Sequence, residues 1–297
     1  MTTDTHDIAL EGGGHPFRVR VYPAGEPSGA ALVWLHGGAF MFGTLDMPEA
    51  DQVGRRLSAG GVTVVSVDYT LAPLDALDAL APPDPAADFP SPEQLRAEAE
   101  AAGPRARFPV AGLQTVAAFD WAVQNARRYG ADPDRVALGG ASAGANLSAG
   151  AAMRLRDRGT TLPNVLALVY PSLHDGILTP NEELARLLQG VPPSRIFTQE
   201  ARDAINRNYL RDREDDPHGY AFPGGHDLAG LPPVLMVNAE LDSLRASGEA
   251  FAGELAAASV DVQVVRARGA MHGYLNEVGD PAAELTLRLL QNAVAAR

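Results

Sequence analysis

The sequence predicts an α/β fold, with a mostly parallel, eight-stranded sheet, helices on both faces of the sheet and a small helical cap. Short apolar runs recur along the chain, and such runs are typical of strands buried on both faces. From residue 30 onward they alternate with stretches of helical periodicity, as in parallel strands joined by helical crossovers. The length of 297 residues suits one large α/β domain or two small ones, and we predict a single domain over residues 1–297.

The first two strands are predicted to form an antiparallel hairpin. Ile8–Glu11 and Phe17–Tyr22 are short strand candidates that are joined through three consecutive glycines. The later elements follow from apolar runs, from helical periodicity and from end signals such as Gly130, which fits a helix C-cap. In chain order they are strand Ala30–Leu35, helix Pro48–Ala59, strand Val62–Val67, helix Val110–Tyr129, strand Val136–Gly139, a helix ending at Arg158, strands Val165–Tyr170 and Val234–Ala239, helix Ser247–Ala258, strand Val260–Arg266 and helix Ala282–Ala296.

Two stretches interrupt the alternation, and we predict that both are cap elements over the sheet edge. Residues 172–231 hold two helical segments and are too long for a plain crossover. Residues 74–107 are rich in Pro and Asp, and they include a helix start in which Ser91 is the N-cap, Pro92 is N1 and Gln94 is N3. A disordered acidic loop is the alternative for this second stretch.

The composition excludes several classes of function. The formal net charge of −13 argues against nucleic acid or an anionic membrane as a partner. The chain has no Cys and all 24 basic residues are Arg, which excludes disulfides, thiolate metal sites and lysine-dependent catalysis. The N-terminus lacks the features of a signal peptide, and no apolar run approaches the length of a membrane span. We therefore expect a cytoplasmic protein.

Ser142 is the candidate nucleophile, at the centre of Gly140-Ala-Ser-Ala-Gly144. The segment lies between a predicted strand and a predicted helix, where a G-x-S-x-G turn holds its Ser in a strained conformation that exposes the hydroxyl. The flanking glycines let the chain pass closely, and the first N–H groups of the helix point toward the site of an oxyanion. The alternative is an ordinary Ser N-cap of a helix rich in small residues.

Candidates for the base and for the group that orients it follow two later strands. Acyl transfer needs both, together with oxyanion donors, and sites in open α/β sheets form at the carboxyl ends of strands. Asp242 follows one predicted strand and His272 follows the next. The order Ser, Asp, His is that of α/β-hydrolases. Glu240 is a rival for the acid, and a structural histidine is the alternative for His272.

The loop His36-Gly-Gly-Ala-Phe40 follows the first predicted parallel strand. Consecutive small residues leave backbone N–H groups uncovered and able to turn toward a ligand. The alternative is a tight turn without that role. His36 comes too early in the chain to be a good base, and we expect it to form a structural hydrogen bond.

Five blocks, which cover roughly residues 30 to 275, resemble motifs of the bacterial hormone-sensitive-lipase-like esterases (family IV) of the α/β-hydrolase superfamily. His36–Phe40 resembles HGGG, Asp68–Pro73 resembles DYRLAP, Gly140–Leu147 resembles GDSAGGNL, Asp242–Arg245 resembles DPLRD, and Gly269–Tyr274 resembles GMxHGF.

The resemblance implies a serine carboxylesterase that hydrolyses short-chain esters through an acyl-enzyme and needs no metal or cofactor. It implies that Ser142 is the nucleophile, His272 the base and Asp242 the orienting acid. The implied oxyanion hole is formed by the N–H groups of Gly38, Ala39 and Ala143, with Gly37 shaping the loop. Aromatic residues of the loop and cap are candidate substrate contacts, with packing inside the cap as the alternative for the cap residues: Phe40, Tyr209 and Phe222.

The chain departs from the family pattern at several positions. Ala39 stands for the third Gly of HGGG, Ala141 for the Asp before the nucleophile, and Thr70 for the Arg of DYRLAP. The last two changes remove polar support that relatives have beside the nucleophile. The family's long N-terminal cap segment is missing, and we expect the insertion at 74–107 to replace it.

Other functions remain open at this stage. The same triad could deacetylate an acetylated sugar or metabolite, or act as a lactonase or amidase. A ligand-binding receptor on this fold is disfavoured because His272 is present. The expected partner is a small-molecule ester, and the sequence leaves a homodimer open.

Overall fold

The computed structural model describes residues 4–80, 91–101, 103–212 and 216–296. Within these residues, eight strands form a single sheet. The strands are β1 (His6–Gly12), β2 (His15–Tyr22), β3 (Gly29–Leu35), β4 (Val62–Asp68), β5 (Ala131–Ala141), β6 (Leu166–Val169), β7 (Val234–Leu241) and β8 (Val262–Met271).

The order of the strands across the sheet is β1-β2-β4-β3-β5-β6-β7-β8. β1 pairs antiparallel with β2, and β2 pairs antiparallel with β4. All pairs from β4 to β8 are parallel. The mostly parallel, eight-stranded sheet that the sequence predicts is therefore confirmed.

Helices lie on both faces of this sheet. The helices in the described residues are α1 (Pro48–Ala59), α2 (Pro92–Ala101), α3 (Val110–Asn125), α4 (Ala143–Arg158), α5 (Glu182–Leu188), α6 (Gln199–Leu210), α7 (Arg245–Ala257) and α8 (Pro281–Ala295). Side chains of α3, α4 and α7 belong to one buried apolar cluster, and side chains of α1 and α8 belong to a second.

Strand β3 shows why a central strand can be apolar without interruption. Ala31, Val33 and Leu35 belong to the first cluster, whereas Leu32 and Trp34 belong to the second. Because successive side chains of a strand point to opposite faces, a strand that is covered on both sides has no polar face.

Several strands end later than the sequence predicts, and the ends of β5 and β8 matter most for the site. β5 runs to Ala141, so Ser142 follows it directly. β8 runs to Met271 rather than Arg266, because Ala267 still pairs with β7 and Met271 pairs with it again beyond an irregularity in the register. The last part of β8 contains Arg and Gly residues, so it lacks the apolar run by which a buried strand is recognised in the sequence. His272 therefore follows a strand end directly.

The described part of the stretch 74–107 packs against the loop that follows His36. The predicted capping box is confirmed at the start of α2, where Ser91 Oγ accepts from the N–H of Gln94 and Gln94 Oε1 accepts from the N–H of Ser91. Arg105 donates to the carbonyl groups of Met41 and Ala72, at 2.8 and 2.7 Å. The part of this call at residues 81–90 and 102 lies outside the described residues.

The residue directly after this stretch contacts the second cap stretch. The N–H of Phe108 donates to the carbonyl of Tyr209 in α6 at 2.9 Å. α5 and α6 correspond to the two helical segments that the sequence predicts within residues 172–231. That 74–107 replaces the family's N-terminal cap stays a prediction. No helix of the described ranges has both the length and the apolar character needed to cross a membrane.

Candidate active site

Three side chains that directly follow β5, β7 and β8 form one hydrogen-bonded chain. His272 Nε2 lies 2.8 Å from Ser142 Oγ, and His272 Nδ1 lies 2.6 Å from Asp242 Oδ2. Asp242 is 1% exposed and Ser142 is 8% exposed. The second carboxylate oxygen of Asp242 accepts from the N–H of Leu244 at 2.9 Å. With Nδ1–H donating to Asp242, Nε2 is left as the acceptor for the hydroxyl of Ser142.

Glu240, the rival for the acid, has other partners. Its carboxylate accepts from the N–H of Gly269 at 2.8 Å and from Arg268 at 2.7 Å. These hydrogen bonds, led by that of Gly269, keep the pKa of Glu240 below its ordinary value. The structure thus brings Asp242, rather than Glu240, to His272, as the sequence reasoning favours.

The backbone at Ser142 has the strained geometry of a nucleophile elbow. Its φ of 53° and ψ of −117° are unusual for a residue other than Gly, and its side chain makes no capping hydrogen bond to α4. This argues against the alternative of an ordinary N-cap. A Cβ at Gly140 would lie 2.4 Å from the carbonyl carbon of Gly144, and a Cβ at Gly144 would lie 2.3 Å from the oxygen of Leu35.

The loop after β3 turns sharply beside this elbow. Gly38, Ala39 and Phe40 all have positive φ, at 115°, 52° and 64°. The N–H groups of Met41 and Phe42 close the loop on the carbonyl of Gly38, each at 2.9 Å. Ala39 lies in the left-handed region that an Ala adopts at a cost of about 1 kcal/mol.

Gly37 differs from the other residues of the predicted oxyanion hole. Its N–H donates to the carboxylate of Glu49, so that donor already has an acceptor. This arrangement is consistent with the loop-shaping role expected of Gly37. It leaves the N–H groups of Gly38, Ala39 and Ala143 as the proposed oxyanion donors.

Adjacent positions of this loop should respond in opposite ways to one methyl group. A Cβ at Gly38 would lie 2.1 Å from the carbonyl oxygen of Phe42, so Gly38→Ala should open the loop and lower kcat by about 10- to 100-fold. Ala39→Gly keeps the donor and relieves the strained φ, so kcat should stay within about threefold. Turnover of p-nitrophenyl acetate measures both variants. Equal activities would contradict this account of the loop.

Glu49, which the sequence reasoning did not identify, lies beneath the loop and the elbow. It is in the first turn of α1 and only 2% exposed. One carboxylate oxygen accepts from Gly37 N–H, and the other accepts from the hydroxyl of Tyr170. In the sequence, an acidic residue after Pro48 resembles a favourable charge at a helix N-terminus. Nothing in that pattern indicates that the side chain points inward.

Tyr170 connects Glu49 to the histidine. The residue follows β6, and its ring packs edge-on against the ring of His272, with centroids 5.0 Å apart. Burial, reinforced by the charge of Glu49, raises the pKa of the Tyr170 hydroxyl well above its ordinary value. Tyr170 therefore stays protonated and donates to Glu49.

Thr70, which stands where the family has an Arg, has a polar partner in Gln114. Its N–H donates to Gln114 Oε1 at 2.7 Å, and its hydroxyl accepts from Gln114 Nε2 at 2.8 Å. Gln114 belongs to α3 and is fully buried. The amide satisfies the backbone of the segment after β4 without a charge.

His36 forms the structural hydrogen bond that the sequence reasoning expects. Its Nδ1–H donates to the carbonyl of Gly37 at 2.7 Å, and its ring stacks on Tyr69 at 4.6 Å between centroids. Nε2 is buried and has no hydrogen-bond partner among the described residues. Burial lowers the pKa of His36 because a charged ring here would lose its hydration.

The lowered pKa of His36 makes folding stability depend on pH. The ordinary value is 6.5, so the unfolded chain binds a proton at this position before the folded chain does. The stabilisation is complete above this pH and is lost as the pH falls below it, by up to about 1.4 kcal/mol per pH unit. His36→Asn should flatten this part of the profile. Denaturant unfolding of both proteins between about pH 5 and 8 measures the difference, and parallel profiles would contradict the expectation.

The three aromatic side chains proposed as substrate contacts pack on one another. Phe40 stacks on Tyr209 with centroids 4.0 Å apart, and Phe222 meets both rings edge-on. Each is less than 5% exposed, as in the alternative of packing inside the cap. Their contact with a substrate stays a prediction. Phe197, another cap residue, lies edge-on against His272 at 5.0 Å. Among the residues that the structure describes, no group of His, Asp and Glu is arranged to hold a metal ion.

A family model described as the alpha/beta hydrolase fold matches residues 32–81 and 101–276. The unmatched residues between these ranges lie within the stretch 74–107. The carboxylesterase NlhH of Mycobacterium tuberculosis is 32% identical over 280 residues, which cover 91% of this chain and 75% of that protein. An acetyl esterase of Salmonella dublin is 28% identical and covers 93% of this chain and 74% of its own length.

Solved structures of esterases have the same fold. A hyperthermophilic esterase from the archaeon Pyrobaculum calidifontis superposes with a TM-score of 0.78 at 30% identity, covering 100% of this chain and 84% of its own. The thermostable carboxylesterase EstE1, cloned from a metagenomic library, superposes with a TM-score of 0.79 at 30% identity and covers 100% and 90%.

Proposed function

Because the chain belongs to the hormone-sensitive-lipase-like family of α/β-hydrolases, we propose that it is a serine carboxylesterase for short-chain carboxylic esters. The observation that carries the proposal is the chain of hydrogen bonds from Ser142 through His272 to Asp242. Relatives named carboxylesterase and acetyl esterase support the same reaction.

The geometry of the site supports each step of the proposed acyl transfer. His272 Nε2 takes the proton of Ser142 as its oxygen attacks the ester carbonyl, and the buried charge of Asp242 stabilises the imidazolium that forms. The N–H groups of Gly38, Ala39 and Ala143 would stabilise the oxyanion. His272 then protonates the leaving alcohol, and water repeats the cycle on the acyl-enzyme.

Deacetylation of an acetylated sugar or metabolite is a second candidate. The acetyl esterases among the relatives favour it, since they indicate that this scaffold accepts an acetyl group. Both functions use the same residues and the same steps, so they differ only in the alcohol that leaves.

Substrate panels distinguish the candidates. Purified protein should turn over p-nitrophenyl acetate and butyrate with a higher kcat/KM than the octanoate and laurate esters. A higher kcat/KM on acetylated sugars than on p-nitrophenyl acetate would favour the deacetylase. A preference for the long chains would contradict the short-chain proposal, and no turnover of any ester would contradict the esterase itself.

Four further expectations remain part of the proposal. A small-molecule ester is the partner that the site would bind, and the location in the cytoplasm stays a prediction, as does a homodimer. The cap role of 74–107 and 172–231 is supported by the hydrogen bonds of Arg105 and Phe108, which tie the first stretch to the loop after β3 and to α6.

A further inference from the structure

We propose that Ser243 is a positioning residue that sets how large the alcohol part of the ester can be. Its hydroxyl acts through Phe197, the cap residue that lies against His272. The inference rests on the proposed esterase function and adds a limit on one part of its substrates.

Ser243 connects the turn that carries Asp242 to the cap. It directly follows Asp242 and is 8% exposed, and its Oγ accepts from the N–H of Phe197 at 3.1 Å. The motif DPLRD, which Asp242–Arg245 resembles, has a Pro at this position. Because Pro has no hydroxyl, the family's motif does not provide this hydrogen bond to the cap.

The turn that carries Ser243 is itself held in place. The N–H of Leu244 donates to Asp242 Oδ1 at 2.9 Å, and the N–H of Arg245 donates to the carbonyl of Asp242 at 3.1 Å. The buried side chain of Arg245 pairs with Glu183 of α5 at 3.0 Å. The cap loop between α5 and α6 is thus attached at both of its ends to this one turn.

The ring of Phe197 lies on the imidazole rather than on an apolar residue of its own helix. Phe197 directly precedes Thr198, the N-cap of α6. An apolar side chain at that position commonly packs against an apolar residue at N4, but N4 of α6 is Arg202. The ring meets His272 edge-on, with centroids 5.0 Å apart and an interplanar angle of 79°. Since Ser243 holds the backbone that carries this ring, it determines how closely the ring approaches His272.

The space beside the imidazole is where the alcohol leaves. His272 Nε2 protonates the oxygen of the leaving alcohol, so that oxygen comes within hydrogen-bond distance of Nε2 and the group attached to it lies beside the ring. The acyl carbon is instead bonded to Ser142 Oγ. Tyr170 also meets His272 edge-on, but it is 1% exposed, whereas Phe197 is only partly buried. Phe197 is therefore the ring that the alcohol group meets.

Acetate esters of two alcohols test this inference, because both form the same acetyl-enzyme and differ in the alcohol alone. The size preference is kcat/KM for phenyl acetate divided by kcat/KM for 1-naphthyl acetate. Phe197→Ala should lower it by about 10-fold, because the ring no longer limits the space. Ser243→Ala should lower it by about fivefold, the effect of one hydrogen bond. Both rates are measured on the same protein, so a loss of folded enzyme cancels.

Three controls separate positioning from general damage. The ratio of kcat/KM for p-nitrophenyl butyrate and acetate should stay within about twofold of the wild type in every variant, since the alcohol is unchanged. Ser243→Thr keeps the hydroxyl, so its size preference should stay within about twofold. Ser247→Ala removes another buried hydroxyl that accepts from a backbone N–H of the cap, that of Leu173 at 3.0 Å, and its size preference should also stay within about twofold.

A double variant and amide exchange complete the test. Ser243→Ala/Phe197→Ala should have the size preference of Phe197→Ala within about twofold, because Ser243 acts through that ring. Amide hydrogen exchange at Phe197, measured by NMR, should be at least about fivefold faster in Ser243→Ala than in the wild type. An unchanged size preference or exchange rate in Ser243→Ala, effects that multiply in the double variant, or a shift of the acyl ratio would overturn the inference. Failure of the wild type on every ester, with the expected exchange result, would instead overturn the proposed function.

Discussion

Replacing Ser142 with Ala should lower kcat for p-nitrophenyl acetate by about 10⁶-fold, the loss that is typical when a catalytic nucleophile is removed. Among the described residues, the hydroxyl that is hydrogen-bonded to His272 Nε2 is that of Ser142, at 2.8 Å, so no other hydroxyl is placed to take over the attack. Stability should change little, because Ala fits any backbone that Ser adopts at this elbow and the Ser side chain makes no capping bond.

Ser148→Ala is the matched control for this variant. Ser148 lies in α4, the helix that follows Ser142, is fully buried, and donates to the carbonyl of Gly144 at 2.8 Å rather than to the imidazole. Its kcat should stay within about threefold of the wild type. Turnover and thermal unfolding of the three proteins, measured side by side, check the prediction. Residual activity of Ser142→Ala within tenfold of the wild type would refute the assignment of the nucleophile.

Replacing Asp242 with Asn should lower kcat by about 10⁴-fold. Because Oδ1 is held by the N–H of Leu244, the new amide group would face His272 Nδ1. That amide donates, so Nδ1 would have to accept, and the proton would move to Nε2. Nε2 could then no longer accept the proton of Ser142.

Glu240→Gln distinguishes Asp242 from its rival in the sequence. Glu240 bonds to Gly269 and Arg268, outside the chain of hydrogen bonds at His272, so its loss should change kcat by less than about fivefold. Steady-state kinetics of the two amide variants on one substrate provide the comparison. If Glu240→Gln were the more impaired variant, the acid would be misassigned.

The sequence predicts most of the fold because each central strand is covered on both faces. This requirement gives the central strands long apolar runs, and β3 shows it directly, because Ala31, Val33 and Leu35 face one cluster and alternate with Leu32 and Trp34, which face the other. The end of β8 escapes prediction for a physical reason. It is an edge strand, so Arg268 and Gly269 can lie in the irregular part of its register without being buried, and these residues interrupt the apolar pattern of the strand.

Some residues of the candidate site can be predicted from the sequence, and others cannot. Ser142, Asp242 and His272 each follow a strand that the sequence predicts. The carboxyl ends of parallel strands lie at one edge of the sheet, so the topology brings these three side chains together. Glu49 lies on α1, 93 positions before the nucleophile, and its inward direction depends on how that helix packs beneath β3. Its partners are a backbone N–H and the hydroxyl of Tyr170, which no spacing in the sequence connects to it.

The central claim is that the reaction passes through an acyl-enzyme on Ser142. Rapid acid quenching during turnover of p-nitrophenyl acetate, followed by peptide mass spectrometry, tests it most directly. The account predicts the mass of one acetyl group on the peptide that contains Ser142, lost again when substrate is exhausted and absent from Ser142→Ala. Acetyl on another residue during turnover, or turnover by Ser142→Ala at the wild-type rate, would contradict it.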